Sequence, residues 1–198
     1  DFDIEEGLPG QFGGSLGFSE TYGITLGGNF IHSNFMGTGK RVALDLRAGE
    51  YQKVYDVNFT DPYRNIDGVA RTLSLTYRDL TQFTSSTSDF STTTLSAGAN
   101  WGYPISEYQV LRFGFAYQDS ELVVSSFSSQ EAIDWVQQNG TPFNISSDIL
   151  GTKVRSLDLV AGWSYDSRNA TLFPTSGTRL ALNLNASLPG SDVEYYVA

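Results

Sequence analysis

The stretch VLRFGFAYQ, residues 110–118, alternates apolar side chains with small or polar ones. The apolar positions are Leu111, Phe113, Phe115 and Tyr117. Because successive side chains leave a β-strand on opposite faces, this alternation predicts a strand with one apolar face. The pattern leaves open what that face meets. In a soluble sheet it packs a core, whereas in a membrane barrel it meets lipid and the polar face lines the lumen.

The same alternation recurs in eight further segments of the chain. They are residues 15–18, 22–30, 41–49, 51–59, 70–78, 92–103, 156–165 and 179–188. Together the segments predict about nine strands, with a tenth beginning near Glu194. Many of them are about ten residues long, whereas soluble strands most often have ~5–6 residues and transmembrane strands need ~9–11. Their lengths favour a transmembrane sheet.

Composition narrows the classes of function. The 198 residues carry 12 Lys and Arg against 22 Asp and Glu, a net charge of -10, which argues against binding nucleic-acid phosphates. The chain has no cysteine, so neither a disulfide nor a thiolate metal site is predicted. No apolar run approaches the ~18–20 residues of a spanning helix. Such runs are not expected in a barrel, because alternation dilutes hydropathy.

The connections between the alternating segments fall into two sets. One set is compact and rich in turn residues: NFMGTG, DPYRNIDG, PISEY and DSRNATLFPTSG. The other set varies from two residues to a long segment from about Ser125 to Val154. Outer-membrane barrels show this asymmetry between short periplasmic turns and longer outer loops.

The long segment contains SSQEAIDWVQQNG, which carries the signals of a short helix. Ser128 or Ser129 can cap the amino end, and Asn139 followed by Gly140 can end the helix. We therefore predict a helix near Gln130–Gln138, in an outer loop that covers the lumen or the surface.

Aromatic side chains gather near the predicted strand ends, for example at Tyr51, Tyr77, Trp101, Trp163 and Tyr165. Tyr and Trp favour the boundary between water and lipid, where barrels carry aromatic girdles. Aromatic residues are common in any β-protein, so this observation gains weight from the strand lengths and the asymmetric connections.

Motifs that suggest catalysis do not fit their surroundings. Residues 13–17, GGSLG, match the G-x-S-x-G pattern of a nucleophile elbow, which requires a strand, a sharp turn and a helix. Here the pattern lies inside a predicted strand, and His32 is the only histidine. The GTGKR turn lacks the first glycine and the hydroxyl residue of a phosphate-binding loop. We predict no enzyme activity and no catalytic, cofactor-binding or metal-binding residue.

Five segments are more specific than the strand pattern. They are NFMGTGKRVAL, YQKVYDVNFTDPYRNIDGV, GYPISEYQVLRFGFAY, FPTSGTRLALNL and LPGSDVEYY. In this order the chain resembles, from about Gly13 to Tyr196, the barrel of the BamA family, the outer-membrane protein assembly factors of Gram-negative bacteria. The D-P-Y-x-x-x-D-G-V turn at residues 61–69 is among the most specific features.

This resemblance implies an integral outer-membrane barrel of 16 strands, preceded by periplasmic POTRA domains. It also implies client outer-membrane proteins as partners, accessory lipoproteins that act through the periplasmic domains, and contact with membrane lipid. Residues 1–12 then correspond to a linker from a periplasmic domain, and residues 13–198 to the N-terminal part of the barrel. Such a segment by itself is expected to pair edge to edge with a second copy or to need the rest of the barrel.

The resemblance further implies a gate between the first and last strands, where client barrels are folded and inserted. We predict that the client-pairing edge is the glycine-rich first strand, acting through main-chain groups: Gly13, Gly14, Ser15, Leu16, Gly17 and Phe18. On the residues alone, these glycines could equally relieve crowding at a barrel seam. A related protein-translocating barrel and a passive porin are the alternative functions, and a soluble β-sandwich is the alternative fold.

Overall fold

The segments of alternating polarity form neighbouring strands of one antiparallel sheet. The computed structural model describes residues 9–20, 23–83, 89–126 and 128–197. The strands are β1 (Gly10–Ser19), β2 (Gly23–His32), β3 (Arg41–Gly49), β4 (Gln52–Asp61), β5 (Ala70–Phe83), β6 (Asp89–Ser106), β7 (Gln109–Ser125), β8 (Thr141–Ser146), β9 (Ile149–Asp166), β10 (Arg179–Ser187) and β11 (Tyr196–Val197). A short 3-10 helix spans Phe35–Gly37, and α1 spans Gln130–Gln138. Neither helix is long and apolar enough to cross a membrane.

The order of strands across the sheet is β1-β2-β3-β4-β5-β6-β7-β9-β10-β11, and β8 lies off this path beside β9. Every neighbouring pair is antiparallel. This order confirms the predicted all-β antiparallel meander of nine strands and the start of a tenth. Within the described residues β1 and β11 do not pair, so the sheet is open in this chain.

The alternation did not predict β8. This strand contains Pro142 and pairs with β9 only as far as Lys153, so its alternation is short and interrupted. Proline is tolerated in an edge strand, because the N–H that it lacks is not needed there. The long connection is therefore shorter than predicted: β7 ends at Ser125 and β9 already begins at Ile149.

The first strand is also longer than predicted. It begins at Gly10 rather than at Gly13, so residues 10–12 of the predicted linker lie in β1. The greater part of that linker, residues 1–8, lies outside the described residues, as do Tyr22 and residues 84–88 of a predicted outer connection. The division into a linker and a barrel segment stays a prediction.

The register places the apolar residues of neighbouring strands on one continuous face, because directly opposed residues share a face. On β7, Phe115 lies opposite Ala99 on one side and opposite Leu159 on the other. We call this the apolar face. The polar face carries the alternate residues, such as Ser96 opposite Gln118.

Nothing in the described residues covers the apolar face. The buried hydrophobic side chains among them are Val54, Val124 and Val136 alone, whereas Phe113 is 44% exposed and Phe115 is 38% exposed. A β-sandwich would bury these rings against a second sheet. No second sheet covers these rings among the described residues, so the arrangement is not that of a β-sandwich.

The connections lie at two ends of the sheet. The turn end, where β1 begins, carries residues 33–40, 62–69, 107–108 and 167–178. Asparagine side chains close two of these turns: Asn34 Oδ1 accepts a hydrogen bond from Gly39 N at 2.7 Å, and Asn65 Oδ1 accepts one from Val69 N at 3.0 Å. The opposite end, the loop end, carries residues 50–51, 126–148 and 188–195.

The predicted helix is confirmed with the same bounds, Gln130–Gln138. Ser129 is the N-cap, and its hydroxyl accepts a hydrogen bond from Ala132 N at 3.3 Å. Val136 is 1% exposed, and Thr152 on the polar face of β9 donates a hydrogen bond to the carbonyl of Asn139. These contacts place α1 over the polar face at the loop end.

Candidate functional site

The predicted pairing edge lies on the outermost strand of the sheet. β1 pairs with β2 along its whole length, from Gly10 opposite His32 to Ser19 opposite Gly23. Within the described residues no strand pairs with its other side. One edge of β1 therefore faces away from the sheet and has no strand partner among these residues, and we call it the free edge.

The ladder pattern determines which residues present their backbone groups at this free edge. Ser33 N donates a 2.8 Å hydrogen bond to Pro9 O, which extends the β1–β2 register by one pair. In an antiparallel pair, hydrogen-bonded positions alternate with non-hydrogen-bonded ones. Odd-numbered residues of β1 therefore bond β2, and even-numbered residues turn their N–H and C=O groups outward. The outward residues are Gly10, Phe12, Gly14, Leu16 and Phe18.

The six predicted residues thus divide into two groups of three. Gly14, Leu16 and Phe18 present backbone donors and acceptors at the free edge. Gly13, Ser15 and Gly17 turn theirs toward β2 and their side-chain positions toward the polar face. The sequence pattern did not distinguish the two groups.

The side chains of the outward residues are highly exposed on the apolar face. Phe12 is 85% exposed, Leu16 is 75% exposed and Phe18 is 77% exposed, against 44% for Phe113 in the middle of the sheet. A central strand has neighbours on both sides that shield its side chains, and β1 has a neighbour on one side.

The glycines of β1 are not all explained by crowding. A Cβ on Gly13 would overlap Asn29 Oδ1, which is the end of a side chain that can rotate away. A Cβ on Gly14 would approach no atom closer than Gly27 O at 3.9 Å, and one on Gly17 no atom closer than Thr25 O at 3.9 Å. Crowding within this sheet therefore occurs at Gly13 alone among the three, where a rotation of Asn29 would relieve it, and is absent at Gly14 and Gly17.

The far side of the sheet is closed in a different way. The second edge of β9 is occupied in turn by β8, by residues of the 188–195 connection and by β10. In the middle part, Asp192 Oδ2 accepts a hydrogen bond from Arg155 N at 2.7 Å, and Ser191 Oγ accepts one from Leu157 N at 3.0 Å. Loop side chains thus replace a strand partner for β9, whereas β1 has no such replacement among the described residues.

The same connection brings Tyr195 against the polar face of β9. Burial, and then the neighbouring Asp158 carboxylate, raise the pKa of the Tyr195 phenol above its ordinary value. Asp158 itself is 3% exposed and accepts a hydrogen bond from Ser156 Oγ at 3.2 Å. This polar cluster holds the 188–195 connection against the sheet, near the edge of the sheet opposite to β1.

The β1 edge offers main-chain chemistry. Five outward residues with free N–H and C=O groups can accept an extended chain by β-augmentation, with affinity from main-chain hydrogen bonds. The edge brings together no nucleophile, base or acid.

Comparison with known proteins gives the family of this chain. Residues 34–198 match the Omp85 superfamily domain. The chain belongs to the Omp85 superfamily. It is 25% identical over 197 residues to the outer membrane protein assembly factor BamA of Neisseria meningitidis serogroup B, covering 98% of this chain and 24% of the relative. It is 26% identical over 124 residues to BamA of Buchnera aphidicola, covering 61% of this chain and 20% of that relative.

A solved structure of the superfamily shows the same fold. The crystal structure of BamA from Haemophilus ducreyi lacking POTRA domains 1-3 is 24% identical and superposes with a TM-score of 0.76, over 98% of this chain and 36% of that chain. This Omp85 chain thus spans about a quarter of the length of the first curated relative. It is a segment of an integral outer-membrane barrel. The relatives' names describe assembly factors and not enzymes.

Proposed function

We propose that this chain is the N-terminal part of the barrel of an outer-membrane protein assembly factor, and that β1 offers its free edge to strands of client barrels. One observation carries the proposal: the backbone groups of Gly14, Leu16 and Phe18 point away from the sheet and have no strand partner among the described residues. The names of the relatives support the coarser part, the assembly of outer-membrane proteins.

The physical reason is the cost of an unpaired edge in lipid. Each unsatisfied backbone group in the hydrocarbon region costs several kcal/mol, so a free edge favours any strand that can pair with it. A client strand faces the same cost and gains the same hydrogen bonds. Pairing at β1 therefore lowers the free energy of both partners and requires no external energy at that step.

The composition of β1 keeps this pairing reversible. Gly13, Gly14 and Gly17 supply no side chain to pack against a neighbour, and glycine loses more conformational entropy on ordering than other residues. A client that paired with a Val- or Ile-rich edge would gain cross-strand contacts that β1 does not provide. Reversible pairing allows a completed client barrel to leave.

The alternation of residues along β1 restricts which client strands can pair with it. The outward residues also direct their side chains to the apolar face, so a paired client strand must place apolar residues beside Leu16 and Phe18. Accessory lipoproteins, in this proposal, act through periplasmic domains of the full-length protein.

A proline substitution at an outward position tests the proposal in the full-length protein. Leu16→Pro removes the outward N–H and breaks no bond to β2, whereas Leu16→Ala removes the side chain and keeps the N–H. In proteoliposomes we expect Leu16→Pro to slow client insertion about tenfold relative to Leu16→Ala, because one outward donor is lost. Heat-modifiable electrophoretic mobility checks that both variants fold.

Equal insertion rates in the two variants, with both folded, would overturn the edge mechanism. Steady ion conductance by the full-length protein, together with unchanged client insertion in Leu16→Pro, would favour the passive porin instead.

A further inference from the structure

The charged residues of the apolar face occur at two levels, one at each end of the strands. The loop-end level consists of ion pairs between directly opposed residues of neighbouring strands. They are Lys53 with Asp79 at 3.5 Å, Lys153 with Glu121 at 3.2 Å, and Arg155 with Asp119 at 3.3 Å. Each cation at this level therefore has its own carboxylate.

The turn-end level has a different composition. Arg71 lies directly opposite Asp61 on one side and opposite Trp101 on the other. Arg41 opposite Thr60 sets the register that places Lys40 beside Asp61. Lys40, which directly precedes β3, thus forms one row on the apolar face with Asp61 of β4 and Arg71 of β5, and the row has two cations and one anion.

Neither cation of this row is paired within the described residues. Arg71 Nε is shielded from solvent and has no hydrogen-bond partner, and neither Arg71 nor Lys40 makes an ion pair with Asp61. Lys40 Nζ lies 6.0 Å from the centre of the Phe59 ring, which confirms that it extends over the apolar face. Asp61 is 6% exposed, so its carboxylate is largely shielded from water.

The row lies at the height where lipid headgroups begin. From Arg71 to Asp79, β5 runs ~27 Å at ~3.4 Å per residue, which strand tilt reduces toward the ~25 Å apolar band of transmembrane barrels. Leu73, Leu75 and Tyr77 fill the band between these two residues. The loop-end pairs and the turn-end row therefore mark its two boundaries.

We infer that Lys40 and Arg71 bind the phosphate of a phospholipid at the turn-end boundary of the membrane. A guanidinium matches a phosphate with parallel hydrogen bonds, and the lysine adds a point charge from the neighbouring strand pair. The row continues toward β7 with Trp101 and Phe113, and the centres of their rings are 6.5 Å apart. These rings provide an aromatic surface for the part of the lipid that lies on the membrane side of its phosphate.

Occupation by lipid follows from the position of the row. Its residues lie on the face that meets lipid and not on the polar face, so a dissolved anion would have to enter the membrane boundary to reach them. The charge of the row, two cations against one buried carboxylate, also favours an added anion over an added cation.

The test is retention of lipid by the full-length protein, measured by native mass spectrometry after titration with dioleoylphosphatidylglycerol. Removal of the cations in Lys40→Gln and Arg71→Gln should weaken the tightest lipid site about fivefold for each cation. Arg71→Lys, which keeps the charge, should retain most of the binding. The matched controls are Lys53→Gln and Arg155→Gln, which remove paired cations of the loop-end level and should leave the site unchanged.

Two further probes identify the ligand. Dioleoylglycerol, which lacks a phosphate, should not occupy the site, and inorganic phosphate should not displace the phospholipid. Displacement by inorganic phosphate would overturn the assignment to lipid in favour of a free-anion site. Unchanged retention in Lys40→Gln and in the Lys40→Gln, Arg71→Gln double variant, or equal loss in Lys53→Gln, would overturn the site itself. Because Lys40 lies in a turn, its variant remains informative if Arg71→Gln does not fold.

Discussion

β1 and β7 carry the same alternation of side chains and differ in their neighbours. β7 is paired along its length with β6 on one side and with β9 on the other, whereas in the described part of the chain β1 is paired only with β2. Both strands contain a glycine in their interior, Gly14 in β1 and Gly114 in β7. An alternating pattern therefore specifies a strand and its apolar face, whereas the number of neighbouring strands determines how stably the strand is held in the sheet.

The two glycines illustrate this difference at the level of single atoms. A Cβ on Gly114 would lie 2.0 Å from Asn100 Oδ1 and 2.8 Å from Ala99 O, so glycine is required where β6 and β7 approach. A Cβ on Gly14 would meet nothing closer than 3.9 Å. The glycine of β7 thus allows close packing, and that of β1 leaves the edge loose.

The largest expected effect concerns amide hydrogen exchange in the full-length barrel in detergent. The outward amides of Gly14 and Leu16 should exchange through small local openings, faster than the inward amides of Ser15 and Gly17. Amides of β7 such as that of Phe113 should require opening that approaches global unfolding, ~5–15 kcal/mol in typical proteins. Equal protection of β1 and β7 would remove the basis of the comparison.

A charge on the apolar face of β7 should have the next largest effect. Phe115→Arg should destabilise the barrel by ~2–4 kcal/mol if it lies near the bilayer midplane. Ala116→Arg, one residue further on and directed to the polar face, is the matched control and should cost much less. The measurement is equilibrium refolding into lipid under denaturant titration, and similar costs for the two variants would contradict the assignment of faces.

Adding one carbon at the contact between β6 and β7 should have a smaller effect. Gly114→Ala should lower the unfolding free energy by about 1–3 kcal/mol, because the new Cβ overlaps Asn100 and the backbone of β6. The control is Gly102→Ala, whose Cβ would lie 3.8 Å from the nearest atom, on Val110. Denaturant midpoints in detergent should separate the two, and a stable Gly114→Ala would show that the strands can move apart.

The smallest effect should come from the same substitution at the edge. Gly14→Ala should stabilise the barrel by about 0.4–1 kcal/mol, because the unfolded chain loses conformational freedom and the folded site has space. If a loose β1 serves client release, this variant should also slow client assembly. Gly28→Ala on β2, where the Cβ would meet nothing within 4 Å, should give a similar gain without slowing assembly.

Features that depend on local pattern could be predicted from the sequence. Alternation over ~9–11 residues specified the strands, because side-chain direction repeats every two residues whatever the neighbours are. The bounds of α1 followed from Ser128 or Ser129 and from Asn139 with Gly140, because capping bonds join residues a few positions apart, and the structure assigns the N-cap to Ser129. β8 was not predicted, because its six residues include a proline and the segment is too short for periodicity to be seen.

Features that depend on contacts between distant segments could be seen only in the assembled sheet. The exposure of the apolar face follows from the arrangement of the strands, because few hydrophobic side chains are buried among the described residues. The register between β1 and β2 determines which residues of β1 present free backbone groups. In this register they are Gly14, Leu16 and Phe18, whereas the backbone groups of Gly13, Ser15 and Gly17 point toward β2. A shift of one residue in that register would exchange the two groups without changing the sequence of β1, because hydrogen-bonded positions alternate along an antiparallel pair.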